Sequence, residues 1–179
     1  MPHSAESAVE RSVAQAHVIA ATAQASARYR HAPSGGTTRR TVIAYLDSSA
    51  ILRIVLGQTN ALKEWRSIKQ GVASALVGVE CLRTLDRLRL AEGLEDAEIA
   101  VRREAVFRLM EAVEVVELTR PVLARASHPL PTALGTLDAI HLATALLWKD
   151  RSGAELIMVT HDNALATAAR ASGLRVVGS

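Results

Sequence analysis

Four acidic residues in this chain could act together: Asp47, Glu80, Asp138 and Asp162. They stand in four separate segments, 33, 58 and 24 residues apart. Asp47, Asp138 and Asp162 fall where a strand-like pattern gives way to a helix-like one, and Glu80 falls within a helical stretch. In open α/β sheets ligands bind at the carboxyl ends of the strands. Asp47 directly follows one strand-like run and Asp162 follows another, so both are expected on one rim. Asp138 opens a helix that can start there, and Glu80 can lean in from its helix. Carboxylates converging on one edge suit a hard divalent cation and the hydrolysis of a phosphodiester. No Cys/His spacing suits zinc.

Each acid also has a structural reading. Asp47, Asp138 and Asp162 are ordinary helix-start residues, favoured by capping and by the helix dipole. Glu80 can pair with Arg83 at i+3 on its own helix. Taken singly, these readings are the stronger ones, and only the joint pattern argues for chemistry.

The elements that must position these acids alternate. Val42–Leu46 is a short apolar run with β-formers, followed by Asp47-Ser48-Ser49, which is helix-capping chemistry, and a helix to Leu56 ended by Gly57. A second helix is expected from Asn60 to about Gln70, with Gly71 as its stop and Val72-Ala73 as a brief strand. Helices follow over Leu76–Ala91, with Val79, Leu82, Leu85 and Leu88 as its apolar stripe, and over Glu95–Glu111. Val113–Leu118 reads as a strand and Arg120–Ser127 as a short helix with Pro121 in its first turn. Thr136 is expected to cap a helix over Leu137–Lys149. Leu156–Thr160, Asp162–Ser172 and Leu174–Val177 read as strand, helix and strand. Strands in near-continuous apolar runs alternating with helices predict an α/β fold: a central parallel sheet of four to five strands, covered on both faces.

The chain has 179 residues, 49% apolar and only 3% aromatic, so its core must be built from Ala, Val, Leu and Ile. Lysines are confined to Lys63, Lys69 and Lys149. The sequence pI is about 9.5, but the formal charge of +3 is carried entirely by residues 1–40, which hold five arginines and two glutamates. Residues 41–179 hold 16 basic and 16 acidic residues, so net charge does not argue for RNA binding by the body. Residues 1–40 read as an Ala/Arg-rich extension, a helix from about Ala5 to Arg30 and then a linker, outside a domain at 41–179. A loose helix, a docking arm and a start assigned too far upstream all remain open for it. A single cysteine, Cys81, excludes an internal disulfide and fits a reducing cytoplasm. No membrane span is expected. The acidic, polar start, with Glu6 and Glu10, does not read as a secretory signal.

At the acids the chain resembles the PIN-domain family, and within it the VapC-type toxins of bacterial toxin–antitoxin pairs. Four stretches carry the resemblance: Tyr45–Leu52 around Asp47, Val77–Arg83 around Glu80, Leu137–Ala143 around Asp138, and Val159–Leu165 with the Thr-x-Asp of Thr160 and Asp162. The third is the most specific, and the order and spacing hold across 41–179. The resemblance implies a three-layer α/β/α PIN-like fold and a Mg²⁺- or Mn²⁺-dependent ribonuclease. In that reading Asp47, Glu80, Asp138 and Asp162 hold the metal directly or through water, and a metal-activated water cleaves RNA. Thr160 would orient the site near Asp162, and Ser48 would bond Asp47 or a metal-bound water. A homodimer held inactive by a cognate antitoxin is implied as well. The extension 1–40 departs from the family, whose members begin just before the first strand.

Other residues are less specific. Arg83 could bind phosphate or neutralise the acids, and Arg53 reads as a surface residue. His141, at i+3 from Asp138, is expected to pack or to bond a neighbour, and His161 to be exposed. Cys81 and Trp148 read as packing, while Trp65 could stack on a base. Two other functions remain open: a PIN-fold RNA-processing nuclease without an antitoxin, and a non-catalytic PIN-fold interaction module. A phosphatase of the haloacid dehalogenase type also places an Asp after the first strand. It needs a second Asp two residues on, where Ser49 stands, so it is set aside.

Overall fold

Aliphatic and β-branched runs form the strands, and each strand hands its last residue to a helix or a turn at the same edge. The computed structural model describes residues 42–58 and 68–179. Strands β1 (Val42–Leu46), β2 (Ile68–Ser74), β3 (Glu114–Val116), β4 (Leu156–Val159) and β5 (Arg175–Val177) form one sheet in the order β3-β2-β1-β4-β5. Every neighbouring pair is parallel. The described helices are α1 (Ser48–Val55), α2 (Leu76–Glu92), α3 (Asp96–Ala112), α4 (Arg120–Ser127), α5 (Thr136–Ser152) and α6 (Asn163–Ala171).

Side chains alternate along the strands and so feed two cores. Ala44, Leu46, Ala73, Ile157 and Val159 pack against Ile51 of α1, Val77 and Leu85 of α2, and Leu109 of α3. Tyr45, Val72, Leu156 and Met158 face the other way, onto Leu142 of α5 and Leu165 of α6. The result is the three-layer α/β/α arrangement expected from the sequence, with five parallel strands. No described helix is long and apolar enough to cross a membrane.

The strand order fixes where a site can form. From β1 the chain moves through α1 to β2 and β3 on one side. It then returns to β4 on the other side of β1 and moves away again through α6 to β5. The direction reverses between β1 and β4, and the helices that follow them lie on opposite faces. A crevice opens at the carboxyl ends of such a pair. Asp47 and Thr160 are the first residues beyond these two strands.

Several expectations need correction. Residues 68–70 are strand, so the helix expected over Asn60–Gln70 does not reach Gln70; residues 59–67 lie outside the described residues, as do Trp65 and residues 1–41. Gly71 stops no helix. It sits inside β2, where a Cβ would stand 2.8 Å from Val113 Cγ1 and 3.1 Å from Leu46 Cδ1, so the glycine permits a close approach of sheet and helix layer. The polar Lys69-Gln70 pair hid the strand from a hydrophobicity reading; Gln70 Nε2 donates to Glu114 Oε2 at 3.0 Å. In α2 the buried residues are Val77, Cys81 and Leu85; of the expected stripe Leu85 is buried and Leu82 packs against the core, while Val79 is 59% exposed. Thr136 lies inside α5, whose N-cap is Gly135, and the helix runs three residues past Lys149, ending at Gly153 in the left-handed conformation with φ +66°.

Candidate active site

Asp47 leaves β1 in extended conformation and caps α1. Its backbone N–H donates to the Val159 carbonyl at 3.0 Å, which ties it to the end of β4. Its carboxylate is buried, and one oxygen, Oδ2, takes all its hydrogen bonds. Ser49 Oγ donates to it at 2.5 Å, Thr160 Oγ1 at 2.9 Å and the Ser49 N–H at 3.3 Å. The other oxygen, Oδ1, faces His141 Nε2 at 3.8 Å. Asp47 is thus oriented by its neighbours with one oxygen left for a ligand.

The same hydroxyls stitch the loop after β4 to the loop after β1. Ser49 Oγ accepts from the His161 N–H at 2.9 Å, and Thr160 Oγ1 accepts from the Asp162 N–H at 3.0 Å. Thr160 therefore links Asp47 with the backbone of Asp162. The hydroxyl that bonds Asp47 is that of Ser49 and not of Ser48. Ser48 is in the first turn of α1, and its carbonyl accepts a long contact from Cys81 Sγ at 3.9 Å.

Glu80 reaches the site from α2. Its Oε2 lies 2.7 Å from Nε2 of His141, a fully buried residue of α5. His141 Nδ1 lies 2.9 Å from the hydroxyl of Tyr45, itself fully buried on β1. One ligand atom each from Asp47, Glu80 and His141 fall within 4.8 Å of one another. Burial would lower the His141 pKa, but the Glu80 hydrogen bond and the negative charges of Asp47, Glu80 and Asp138 outweigh it and raise it.

Asp138 lies in the first turn of α5, half-buried. Its carboxyl is pushed above the usual range by burial, then by the charges of Asp162 and Asp47, with His141 opposing and Glu80 adding. Asp162 caps α6: its Oδ1 accepts from the Leu165 N–H at 2.8 Å, and the side chain is exposed on the rim. Asp47 and Glu80 are therefore in contact range with His141, while Asp138 and Asp162 join through their fields. Arg83 does not neutralise this charge. It is exposed and pairs with Asp86 at 3.4 Å. Among the described residues no Lys or Arg forms an ion pair with any of the four acids. Mutually repelling carboxylates with no Lys or Arg partner, gathered where the sheet changes direction, fit a hard divalent cation.

His161 is half-buried and not the exposed residue expected. Burial and then the Arg53 charge lower its pKa. Cys81 is fully buried, its thiol pushed up to about 12 by burial and by the charges of Glu80 and Asp47, as an inert core residue should be. Trp148 is packing, with Nε1 donating to Glu114 Oε1 at 2.8 Å.

A model of the PIN domain matches residues 44–171. The chain belongs to the PIN-domain family. Within the family it is similar to three ribonucleases of Mycobacterium tuberculosis. It is 35% identical to Ribonuclease VapC46 over 137 residues, covering 74% of this chain and 95% of that protein. It is 30% identical to Ribonuclease VapC47 over 141 residues, covering 75% and 91%. It is 34% identical to Ribonuclease VapC35 over 139 residues, covering 74% and 94%. A crystal structure of PAE2754 from Pyrobaculum aerophilum aligns with a TM-score of 0.49 at 20% identity, over 76% of this chain and 90% of that one.

In this PIN domain, sequence reasoning missed two residues at the site. Ser49 had a readable signal, because a hydroxyl two residues after an N-cap Asp can join its turn. Tyr45 had none: mid-strand it reads as a β-former, and its partner lies 96 residues away.

Proposed function

We propose that this chain is a metal-dependent endoribonuclease, the toxin of a toxin–antitoxin pair, with residues 41–179 as the catalytic domain and residues 1–40 as an extension. The observation that carries the reading is the Asp47–Glu80 pair, without a Lys or Arg partner among the described residues, at the switch point of a PIN fold, with Asp138 and Asp162 electrostatically joined to it. The names of the similar VapC ribonucleases support RNA as substrate.

Asp47, Glu80, Asp138 and Asp162 would hold Mg²⁺ or Mn²⁺, directly or through water. When bound, such a cation activates water and offsets charge on a phosphodiester. The protein's part is preorganisation. Ser49 and Thr160 hold Asp47 Oδ2 and so leave Oδ1 toward Glu80 and His141. The His161 and Asp162 backbone, bonded to the same hydroxyls, fixes the rim on which Asp162 stands. The four acids repel a polyanion until their charge is offset, so RNA binding is expected to depend on the metal.

The chain would act in the cytoplasm as a homodimer, with a cognate antitoxin covering the cleft. Val79 and Leu137, the sequence neighbours of Glu80 and Asp138, are 59% and 48% exposed, and apolar surface beside the acids suits a covering protein.

The test compares the partner-free protein with its Asp138→Asn variant on a panel of structured RNAs, with Mg²⁺, Mn²⁺ or EDTA. Discrete cuts that need metal and vanish in the variant are expected. Equal cutting by both proteins points to a contaminant. No cutting by the wild type, together with no rise of melting temperature on adding metal, overturns the reading.

A further inference from the structure

We infer that Tyr45 and His141 are positioning residues that hold Glu80 at the metal site through a hydrogen-bond relay, Tyr45 Oη to His141 Nδ1 and His141 Nε2 to Glu80 Oε2. The inference rests on the proposed metal site and names what keeps its second carboxylate in place. The relay crosses all three layers. Tyr45 belongs to the sheet, His141 to α5 on one face, and Glu80 to α2 on the other. Both aromatic side chains are fully buried, and their rings meet edge-on with centroids 6.1 Å apart.

The direction of the bonds follows from the atoms. Nε2 faces two carboxylate oxygens, Glu80 Oε2 at 2.7 Å and Asp47 Oδ1 at 3.8 Å. A nitrogen lone pair there would meet oxygen lone pairs, so Nε2 carries the proton and donates to Glu80. Nδ1 lies 2.9 Å from the Tyr45 hydroxyl, which donates to it in the neutral ring and accepts from it in the protonated one, so the hydroxyl holds the ring in either state. Tyr45 thereby orients the His141 ring, and His141 orients Glu80.

Glu80 depends on this relay. Among the described residues its carboxylate has no hydrogen-bond partner other than His141. Its long side chain stands beside the like charge of Asp47, which favours rotamers swung away from the crevice. The His141 N–H opposes that repulsion at the place where a cation needs both oxygens. Partners of this kind typically change metal affinity 10- to 100-fold when removed.

The experiment measures Mn²⁺ affinity by calorimetry, unfolding in EDTA, and RNA cutting across a Mn²⁺ titration. The proteins are the full chain and its Tyr45→Phe, His141→Leu and His141→Gln variants. Tyr45→Phe keeps the buried ring and loses only the donor; about a 10-fold weaker Mn²⁺ affinity is expected. His141→Leu removes the bond to Glu80 and is expected to weaken affinity by about 10- to 100-fold. His141→Gln can present an N–H near the place of Nε2 and is expected to restore most of that loss. In each case the defect in cutting should be overcome by excess Mn²⁺, because the relay positions a ligand and touches no reacting atom. If the wild type binds Mn²⁺ and cuts RNA while Tyr45→Phe and His141→Leu bind Mn²⁺ equally well, the relay is overturned and the nuclease reading stands. His141→Gln as weak as His141→Leu also overturns it, since the donor is then not what matters. A wild type that neither binds Mn²⁺ nor cuts RNA removes the nuclease reading and the relay with it.

Discussion

Replacing Thr160 by Val tests the polar stitch that aims Asp47. Thr160 is fully buried, and its hydroxyl does two jobs: it donates to Asp47 Oδ2 at 2.9 Å and accepts from the Asp162 N–H at 3.0 Å. Valine keeps the shape and loses both. A hydrogen bond to a charged group contributes about 1.5–3 kcal/mol. A buried N–H left without an acceptor costs about 1–3 kcal/mol, here toward the low end because Asp162 is at the surface and water can reach it. The two together give a loss of about 3 kcal/mol. For a domain of this size that is a fall of roughly 6–12 °C in melting temperature. The assay is urea unfolding in EDTA, so that metal binding does not enter. Thr160→Ser is the control, since it keeps the hydroxyl and gives up one methyl, about 1 kcal/mol. Ser49→Ala in the same background should show coupling above ~0.5 kcal/mol, because both hydroxyls bond one oxygen. A Thr160→Val loss no larger than that of Thr160→Ser would refute the reasoning: the site would then be held by packing, and the hydroxyl bonds would be incidental.

The other predictions are shorter. Asp138 has its carboxyl raised by burial and by the charges of Asp162 and Asp47, so the folded chain binds that proton more tightly than the unfolded one. Its contribution to stability is therefore most favourable below the unfolded value, near ~3.9, and is lost as pH rises through the raised folded value. In EDTA, Asp138→Asn should be more stable than the wild type at pH 7, and the advantage should shrink as the pH falls toward ~4; denaturation across that range showing a less stable variant at pH 7 would contradict the assignment. Gly71→Ala places a methyl 2.8 Å from Val113 Cγ1 and should cost about 1–3 kcal/mol, with Val113→Ala recovering part of it in the double variant.

Much of the fold could be read from the sequence because its signals were local. Strands β1 and β4 announce themselves as apolar runs, and α4 was placed to the residue by Pro121 in its first turn. What failed was non-local. Gly71 looks like a helix stop until the side chain of Val113, 42 residues on, is seen against it. Val79 continues an apolar stripe at i+3 spacing, but α2 buries the face through Val77, Cys81 and Leu85. At the candidate site the family resemblance singled out the four acids, and the side chains that contact them were not legible. Arg83, one turn after Glu80, turns to Asp86 instead of the acids. Ser49, and not Ser48, bonds Asp47. The Tyr45–His141 bond joins residues whose types suit a core as well as a site, and only the packing of α5 on β1 brings them together.

The structural and chemical readings of the acids turn out not to compete. Asp47 caps α1, yet the cap and the neighbouring hydroxyls use only Oδ2 and leave Oδ1 turned toward His141 and Glu80. Asp162 caps α6 through Oδ1 alone, and among the described residues Oδ2 has no protein partner. A carboxylate has two oxygens, so capping can fix one and thereby aim the other. The N-terminus of a helix also offers positive dipole, which tolerates negative charge gathered beside it. Helix starts placed at the end of parallel strands are thus a low-cost way to collect acids that repel one another. Glu80 lies outside this scheme, within a helix and without a cap to hold it. That difference is why the Tyr45–His141 relay falls on Glu80, the one acid of the Asp47–Glu80 pair that no helix terminus orients.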